Sequence, residues 1–332
     1  MTGDARIPLT LLTGFLGSGK TTLLRRLLQQ PAFGDCAVII NELGAIGLDH
    51  LLVDRVDESL SVLASGCVCC TVRSDLVDTL QALLARRARG EIRFARVVVE
   101  TTGLADPAPV LHTLMAEPAV LSAFRLDAVV TTVDAVNGAL TLDRHAEAVK
   151  QAAMADVLLL TKTDLATAEQ IGALTARLRR LNPGATPQRA TQGDVDAKTV
   201  LGGATQDGWP DVAPDCEHHH AHHHHHHDEH IRAHSFTFDT PVHQASFAHW
   251  LDLLGAMRGE RLLRVKGLVH VVERPDEPLL VQGAQHVFHP PQHLREWPSS
   301  DHRTRLVFIT QDLERAEIER TFLKFALKET LA

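Results

Sequence analysis

The sequence has no tyrosine, few aromatic residues overall and no surplus of basic charge. Aromatic residues make up 4% of its 332 residues, and the formal net charge at pH 7 is -8. Domains that bind nucleic acid usually carry a basic stripe with interleaved aromatic side chains. Because the sequence shows no such stripe, nucleic acid is not expected as a partner.

Long hydrophobic runs are also missing. No segment reaches the ~18 to 20 apolar residues that a bilayer crossing requires, so no membrane association is predicted. Residues 1–6 lead directly into a strand-like run, without the basic region, apolar stretch and small-residue cleavage site of a secretion signal. The chain is therefore expected to be cytoplasmic.

The hydrophobic pattern predicts two domains. Residues 1–203 alternate short apolar runs with helical patterns, which is typical of an α/β domain with a mostly parallel sheet. Its predicted strands are 8–13, 36–41, 61–65, 96–100, 127–133 and 156–161, and its clearest helices are 21–29 and 75–88.

Residues 204–231 are predicted to be a disordered linker, because they combine Gly, Ala, Asp and Pro with a histidine tract. Residues 232–332 are predicted to form a small α+β domain. Its expected strands are 233–238, 262–272, 278–281 and 305–310, and its expected helices are 243–254 and 313–327.

A phosphate-binding loop is predicted at residues 14–21, which fit G-x-x-x-x-G-K-[ST] between a strand and a helix. In such a loop, backbone N–H groups turn toward phosphate oxygens. Lys20 is expected to contact the β- and γ-phosphates, and Thr21 to hold magnesium. The neighbouring residues of the candidate nucleotide site are Gly17, Ser18, Gly19 and Thr22. The alternative is a glycine-rich turn that binds no ligand.

The base that is bound is predicted from residues 161–164, Thr-Lys-Thr-Asp, at the end of a predicted strand. Guanine-specific phosphate-loop proteins carry Asn-Lys-x-Asp in this place. The Asp164 carboxylate can accept hydrogen bonds from guanine N1–H and its amino group, and adenine does not offer that arrangement. Asp164 and Lys162 therefore favour GTP, whereas Thr161 departs from the usual Asn. A simple polar turn is the alternative.

Glu100 ends another predicted strand and is followed by Thr-Thr-Gly. An acid in this place is expected near magnesium and the γ-phosphate, and the N–H of Gly103 could contact that phosphate. Lys20 and Glu100 are accordingly the candidate catalytic residues. The alternative is an ordinary strand end with a solvated glutamate.

Three of the five cysteines, Cys67, Cys69 and Cys70, stand close together. In a reducing compartment such crowding favours metal binding or redox chemistry over disulfides. Thiolates suit zinc, and also Cu(I) or cobalt. Three sulfurs leave a fourth position open, which is compatible with metal transfer. Inert buried cysteines and a redox or persulfide role remain alternatives.

A histidine tract lies in the predicted linker and is a candidate low-affinity metal site, because neutral imidazoles bind zinc, nickel and copper. Its members are His218, His219, His220, His222, His223, His224, His225, His226 and His227. An incidental low-complexity linker and an engineered tag are the alternatives.

These motifs together resemble those of the CobW-like GTPases, in particular the YjiA-type branch. The resemblance covers nearly the whole chain, and its most specific element is the Cys-x-Cys-Cys of residues 67–70. It implies a metal-allocation factor, with a small C-terminal domain and often a histidine-rich linker. Ala45 departs from the glutamate that many relatives carry after Asn-Glu-x-Gly.

The resulting hypothesis is a GTP-dependent metallochaperone that uses magnesium and delivers a metal to a client metalloprotein. Zinc is the first choice for this metal, and cobalt or another divalent transition metal is the alternative. Its rivals are a metal store or buffer with incidental GTPase activity, and a small-molecule or nucleotide kinase. The sequence identifies neither the client nor the oligomeric state, so a homo-oligomer stays open.

Overall fold

The computed structural model describes residues 5–40, 72–201, 230–289 and 291–327. Its internal contacts divide the chain into two compact units. The first comprises Met1–Arg177 and Ala185–Gln206, and the second comprises Leu178–Gly184 and Asp207–Ala332.

Six parallel strands form the sheet of the first unit within the described residues, in the order β2-β3-β1-β4-β5-β6. They are β1 (Ile7–Gly14), β2 (Cys36–Ile40), β3 (Arg96–Glu100), β4 (Phe124–Asp134), β5 (Val157–Thr161) and β6 (Pro187–Ala190). The central strands are apolar along most of their length because helices cover both faces of such a sheet. The predicted α/β phosphate-loop fold is confirmed.

Helices follow most of these strands. They are α1 (Lys20–Leu28), α2 (Val72–Ala88), α3 (Pro107–Ala116), α4 (Pro118–Leu121), α5 (Gly138–Arg144), α6 (Ala146–Ala153), α7 (Ala168–Leu181) and α8 (Ala197–Val200). Helix α1 buries Leu23, Leu24 and Leu27 against the sheet, in one core cluster with Val38 and Val130. This packing places the start of α1 at the carboxyl edge of the sheet, where ligands of open α/β sheets bind.

The second unit contains an antiparallel sheet with two helices packed against it in the described residues, and this arrangement confirms the predicted α+β class. Its strands are β7 (Ile231–Phe238), β8 (Leu262–Val269), β9 (Leu279–Ala284), β10 (Val287–Phe288), β11 (Gln292–His293) and β12 (Thr304–Gln311). The main sheet order is β10-β9-β8-β12-β7, and β11 pairs with β9. Helices α9 (Gln244–Arg258) and α10 (Arg315–Phe322) contribute Trp250 and Phe322 to a core around Phe308.

Most predicted elements differ from the observed ones by only a few residues at their ends. The predicted strand 262–272 ends earlier, at Val269, and the predicted helix 313–327 divides into α10 and a π-helical turn at Leu323–Leu327. The predicted strand 61–65 lies outside the described residues. No helix in the described part of the chain is both long and apolar enough to cross a membrane.

Candidate nucleotide-binding site

The loop between β1 and α1 has the backbone that the glycine pattern predicts. Gly14 has φ +139°, and a Cβ atom there would lie 2.3 Å from the Thr132 hydroxyl oxygen, so only glycine fits. Gly19 has φ +94° and is the N-cap residue of α1, which begins at Lys20. The first N–H groups of α1 have no partners within the helix, which makes this turn suitable for an anion.

Lys20 is the first residue of α1, and its side chain extends back into this loop. Its Nζ atom donates hydrogen bonds to the carbonyl oxygens of Gly14, at 2.8 Å, and Phe15, at 3.2 Å. The side chain is buried. The ammonium group is therefore held inside the loop that is predicted to enclose the phosphates, and it can exchange carbonyl partners for phosphate oxygens.

Thr21 and Glu100 come together at the ends of two neighbouring elements. The Thr21 hydroxyl donates to Glu100 Oε1 at 2.9 Å, and Glu100 is only 4% exposed. The alternative of a solvated strand-end glutamate is therefore wrong. A hydroxyl and a carboxylate are hard oxygen donors of the kind that Mg²⁺ prefers, so this pair fits a magnesium ion bound together with nucleotide phosphates.

The turn after Glu100 packs against the phosphate loop. A Cβ atom on Gly103 would lie 2.5 Å from the Leu16 backbone nitrogen, so a larger residue would displace one of the two segments. The Gly103 carbonyl oxygen accepts a hydrogen bond from Gln151 Nε2 at 3.1 Å. Glu100 and Gly103, predicted from one short motif, thus border the loop of residues 14–21.

Thr161 connects the predicted base-binding loop to the phosphate loop. Its hydroxyl donates to the Ser18 carbonyl oxygen at 2.6 Å and lies 3.3 Å from that of Val133. The side chain is 4% exposed. The residue that departs from the usual Asn is therefore a buried structural tie, which the motif alone did not indicate.

Lys162 and Asp134 form an ion pair beside this tie. Lys162 has the unusual backbone angle φ 55°, and its Nζ atom lies 2.7 Å from Asp134 Oδ2. Burial raises the pKa of the Asp134 carboxyl, but hydrogen bonds from Lys162 and Asn137 outweigh that effect and hold the pKa below its usual value. The carboxylate stays ionised and orients Lys162.

Asp164 and Thr22 are both exposed, and both lie at this same edge of the sheet. The loop after β6 lies close by, because the Thr163 and Thr191 hydroxyl oxygens are 3.1 Å apart. Gly193 in that loop has φ +76°, and a Cβ atom there would lie 3.0 Å from the Thr22 carbonyl oxygen. The loop after β6 is a candidate base contact that sequence reasoning missed. Its only signal is a short Thr-Gln-Gly-Asp turn.

Two family models match the chain. "CobW/HypB/UreG, nucleotide-binding domain" matches residues 8–188, and "Cobalamin synthesis protein cobW C-terminal domain" matches residues 231–326. The chain belongs to the CobW family. This membership confirms the predicted GTPase, with its nucleotide-binding domain followed by a CobW-type C-terminal domain.

Individual relatives match over nearly the full length of this family member. The zinc chaperone YjiA of Escherichia coli is 33% identical over 320 residues, which are 95% of this chain and 98% of the relative. The zinc chaperone CobW of Pseudomonas aeruginosa is 33% identical over 351 aligned positions, which cover 95% of this chain and 90% of the relative. The crystal structure of Zn(II)-bound YjiA GTPase from E. coli superposes on this chain with a TM-score of 0.73 at 29% identity. The match covers 97% of this chain and 99% of the YjiA chain.

The predicted transition-metal ligands Cys67, Cys69 and Cys70, and the histidine tract from His218 to His227, lie outside the described residues. Within residues 5–40, 72–201, 230–289 and 291–327, no group of three or more His, Cys, Asp or Glu side chains is placed to hold a metal. Cys36 is a buried cysteine in β2. Burial raises the pKa of its thiol to about 12.

Proposed function

We propose that this GTPase is a metallochaperone that binds zinc through Cys67, Cys69 and Cys70 in one nucleotide state and transfers it to a client metalloprotein after hydrolysis. Two full-length relatives are named zinc chaperones, and this shared family supports zinc as the cargo. A metal store or buffer with incidental GTPase activity is the alternative.

The observation that carries the proposal is the register of β2 on β3. Ile40, the last residue of β2, lies opposite Glu100 on the parallel strand β3. Segment 41–71, which contains the three cysteines, is therefore joined to the sheet beside the carboxylate that contacts Thr21. A change at Glu100 between nucleotide states would act directly on the point where that segment begins.

The residues of the site divide the work of hydrolysis. Lys20 places a positive charge on the β- and γ-phosphates, where negative charge develops in phosphoryl transfer. Thr21 and Glu100 would hold magnesium, which when bound neutralises phosphate charge. The Gly103 N–H would contact the γ-phosphate, and Asp164 would select guanine. The sequence identifies no arginine finger, so the basal rate is expected to be low.

The test is a pair of zinc titrations, one with a non-hydrolysable GTP analogue and one with GDP. Coupling between two sites usually amounts to ~1 to 3 kcal/mol, so the two zinc affinities should differ by roughly 5- to 150-fold. By linkage, zinc should change the affinity for the analogue by the same factor. Identical zinc affinities in the two titrations would refute the chaperone mechanism and leave the buffer alternative.

Two cysteine variants locate the effect. Replacing Cys67, Cys69 and Cys70 with serine should abolish the coupling while nucleotide binding persists. Cys36→Ala is the matched control, because Cys36 is buried in β2 and burial favours the protonated form of its thiol. Loss of coupling in the control as well would argue against the cysteine cluster as the site.

The remaining parts of the chain receive roles in the same proposal. The histidine tract would collect or buffer ions, and the C-terminal domain would select the client in the cytoplasm. Capture of bound protein by the GTP-locked chain under zinc limitation tests the client role. A metalloprotein that binds in the GTP state and is released with GDP is the expected result.

A further inference from the structure

Gln151 on α6 holds the turn that follows Glu100. Its Nε2 atom donates to the carbonyl oxygens of Gly103, at 3.1 Å, and Ala105, at 2.9 Å, and the residue is 1% exposed. Because both partners are carbonyl oxygens, the nitrogen end of the amide must face the turn. One buried side chain therefore fixes two carbonyl groups of the backbone.

A second, weaker tie lies next to it. Lys150 Nζ is 2.9 Å from Asp106 Oδ2, and Asp106 also caps α3 by accepting from the Ala108 N–H at 2.9 Å. The Lys150–Asp106 pair is about one-third exposed, so it is expected to contribute little by itself. The two buried hydrogen bonds of Gln151 are the stronger restraint on residues 103–106.

The turn at residues 103–106 is restricted in both directions, and it has little room to move toward the phosphate loop. Gly103 already touches the Leu16 backbone, and a single added Cβ atom would lie 2.5 Å from its nitrogen. If the turn moved away instead, the buried Gly103 and Ala105 carbonyl groups would lose the Gln151 donor. That loss is unfavourable for buried backbone groups. Gln151 thus favours one arrangement of the turn.

We propose that Gln151 is a positioning residue for GTP hydrolysis, which acts through the backbone of Gly103 and not by contact with nucleotide. The inference rests on the proposed role of Gly103 at the γ-phosphate. Gln151 keeps the Gly103 N–H in position to contact that phosphate. It therefore affects binding and hydrolysis of GTP, whereas the phosphate loop binds the α- and β-phosphates that GDP also carries.

The main test compares Gln151→Met with Thr131→Val. Methionine keeps the approximate length of the side chain without a donor. Thr131→Val removes the hydrogen bond that the buried Thr131 hydroxyl donates to the Gln151 backbone oxygen at 2.8 Å, so it weakens the same region without touching the turn. At saturating GTP, Gln151→Met should hydrolyse GTP at about one-tenth of the parental rate or more slowly, while Thr131→Val stays near the parental rate.

Nucleotide affinity separates positioning from general destabilisation. In Gln151→Met, affinity for a fluorescent GDP analogue should stay within about twofold of the parent, and affinity for a non-hydrolysable GTP analogue should fall more. If Gln151→Met lost affinity equally for the GDP and GTP analogues, or if Gln151→Met and Thr131→Val hydrolysed GTP equally slowly, Gln151 would have a merely structural role. A parental rate in Gln151→Met would overturn the proposal outright.

Gln151→Glu gives a second readout if the methionine variant folds poorly. A carboxylate there faces two carbonyl oxygens, whereas the protonated acid can donate to one of them. Its rate relative to the parent should therefore rise as the pH falls from about 8 to about 6. A ratio that does not change with pH would count against the donor role. All these assays omit zinc, so their failure is distinct from a failure of the metal coupling.

Discussion

Replacement of Thr161 by valine tests whether the tie between the base-binding loop and the phosphate loop supports nucleotide binding. Valine keeps the shape of threonine and removes the hydroxyl that donates to the Ser18 carbonyl oxygen at 2.6 Å. Leaving a buried acceptor without its donor typically costs about 1 to 3 kcal/mol. If the loop needs this tie in order to bind nucleotide, the GTP dissociation constant should rise roughly 5- to 150-fold.

The assay combines titration of a fluorescent guanine nucleotide with unfolding by denaturant. Thr310→Val is the control, because Thr310 is also buried and donates to the Leu313 carbonyl oxygen at 3.1 Å in the second unit. Both variants should lose free energy of unfolding, but only Thr161→Val should lose nucleotide affinity. An unchanged dissociation constant in Thr161→Val, or equal losses in both variants, would refute the reasoning.

Four further outcomes are expected. Lys20→Ala should abolish GTP hydrolysis, because the charge on the β- and γ-phosphates is lost, and unchanged turnover would contradict the phosphate-loop assignment. Asp164→Ala should reduce the preference for GTP over ATP in competition binding, and a parent without any preference would contradict its role. Deletion of residues 218–230 should lower the number of zinc ions bound but leave the tightest site intact. Because imidazoles protonate near pH ~6.5, the tract should lose metal before the cysteines do as the pH falls, and equal loss of both classes would contradict this division. Hydrogen bonds from Arg303 lower the pKa of Asp301 from 3.8 to about 2, so the stability they add is present above about pH 4 and lost as the pH falls toward 2. Asp301→Asn should flatten the stability curve over that interval, and a parental curve would show that the pair adds nothing.

The sequence predicted best those parts of the fold that depend on local pattern. Strand β3 has the predicted bounds because its consecutive valines are buried between two helical layers. Strand β6 was missed because Gln188 and Arg189 are exposed and leave no apolar run to recognise. The phosphate loop was recognisable because its glycines and lysine are adjacent in sequence.

The contacts that organise the candidate site were less predictable because they join distant residues. Gln151 reaches Gly103 across 48 residues, and Thr161 reaches Ser18 across 143. Each looks like an ordinary helix or strand residue until the sheet brings its partner close. The Thr21–Glu100 contact was expected because two separate motifs pointed to the same magnesium ion. The cysteine cluster stays a prediction.

The buried thiol of Cys36 has a consequence for the kinetics of this protein in solution. Thiol reagents attack the thiolate, and burial keeps that form scarce in the folded sheet. Cys36 should therefore react only when β2, the edge strand of the described sheet, opens. The rate at which a thiol reagent labels Cys36 therefore reports how often β2, the strand that precedes residues 41–71, opens locally. A difference between the labelling rates measured with GTP bound and with GDP bound would show that the nucleotide state changes the local stability of β2.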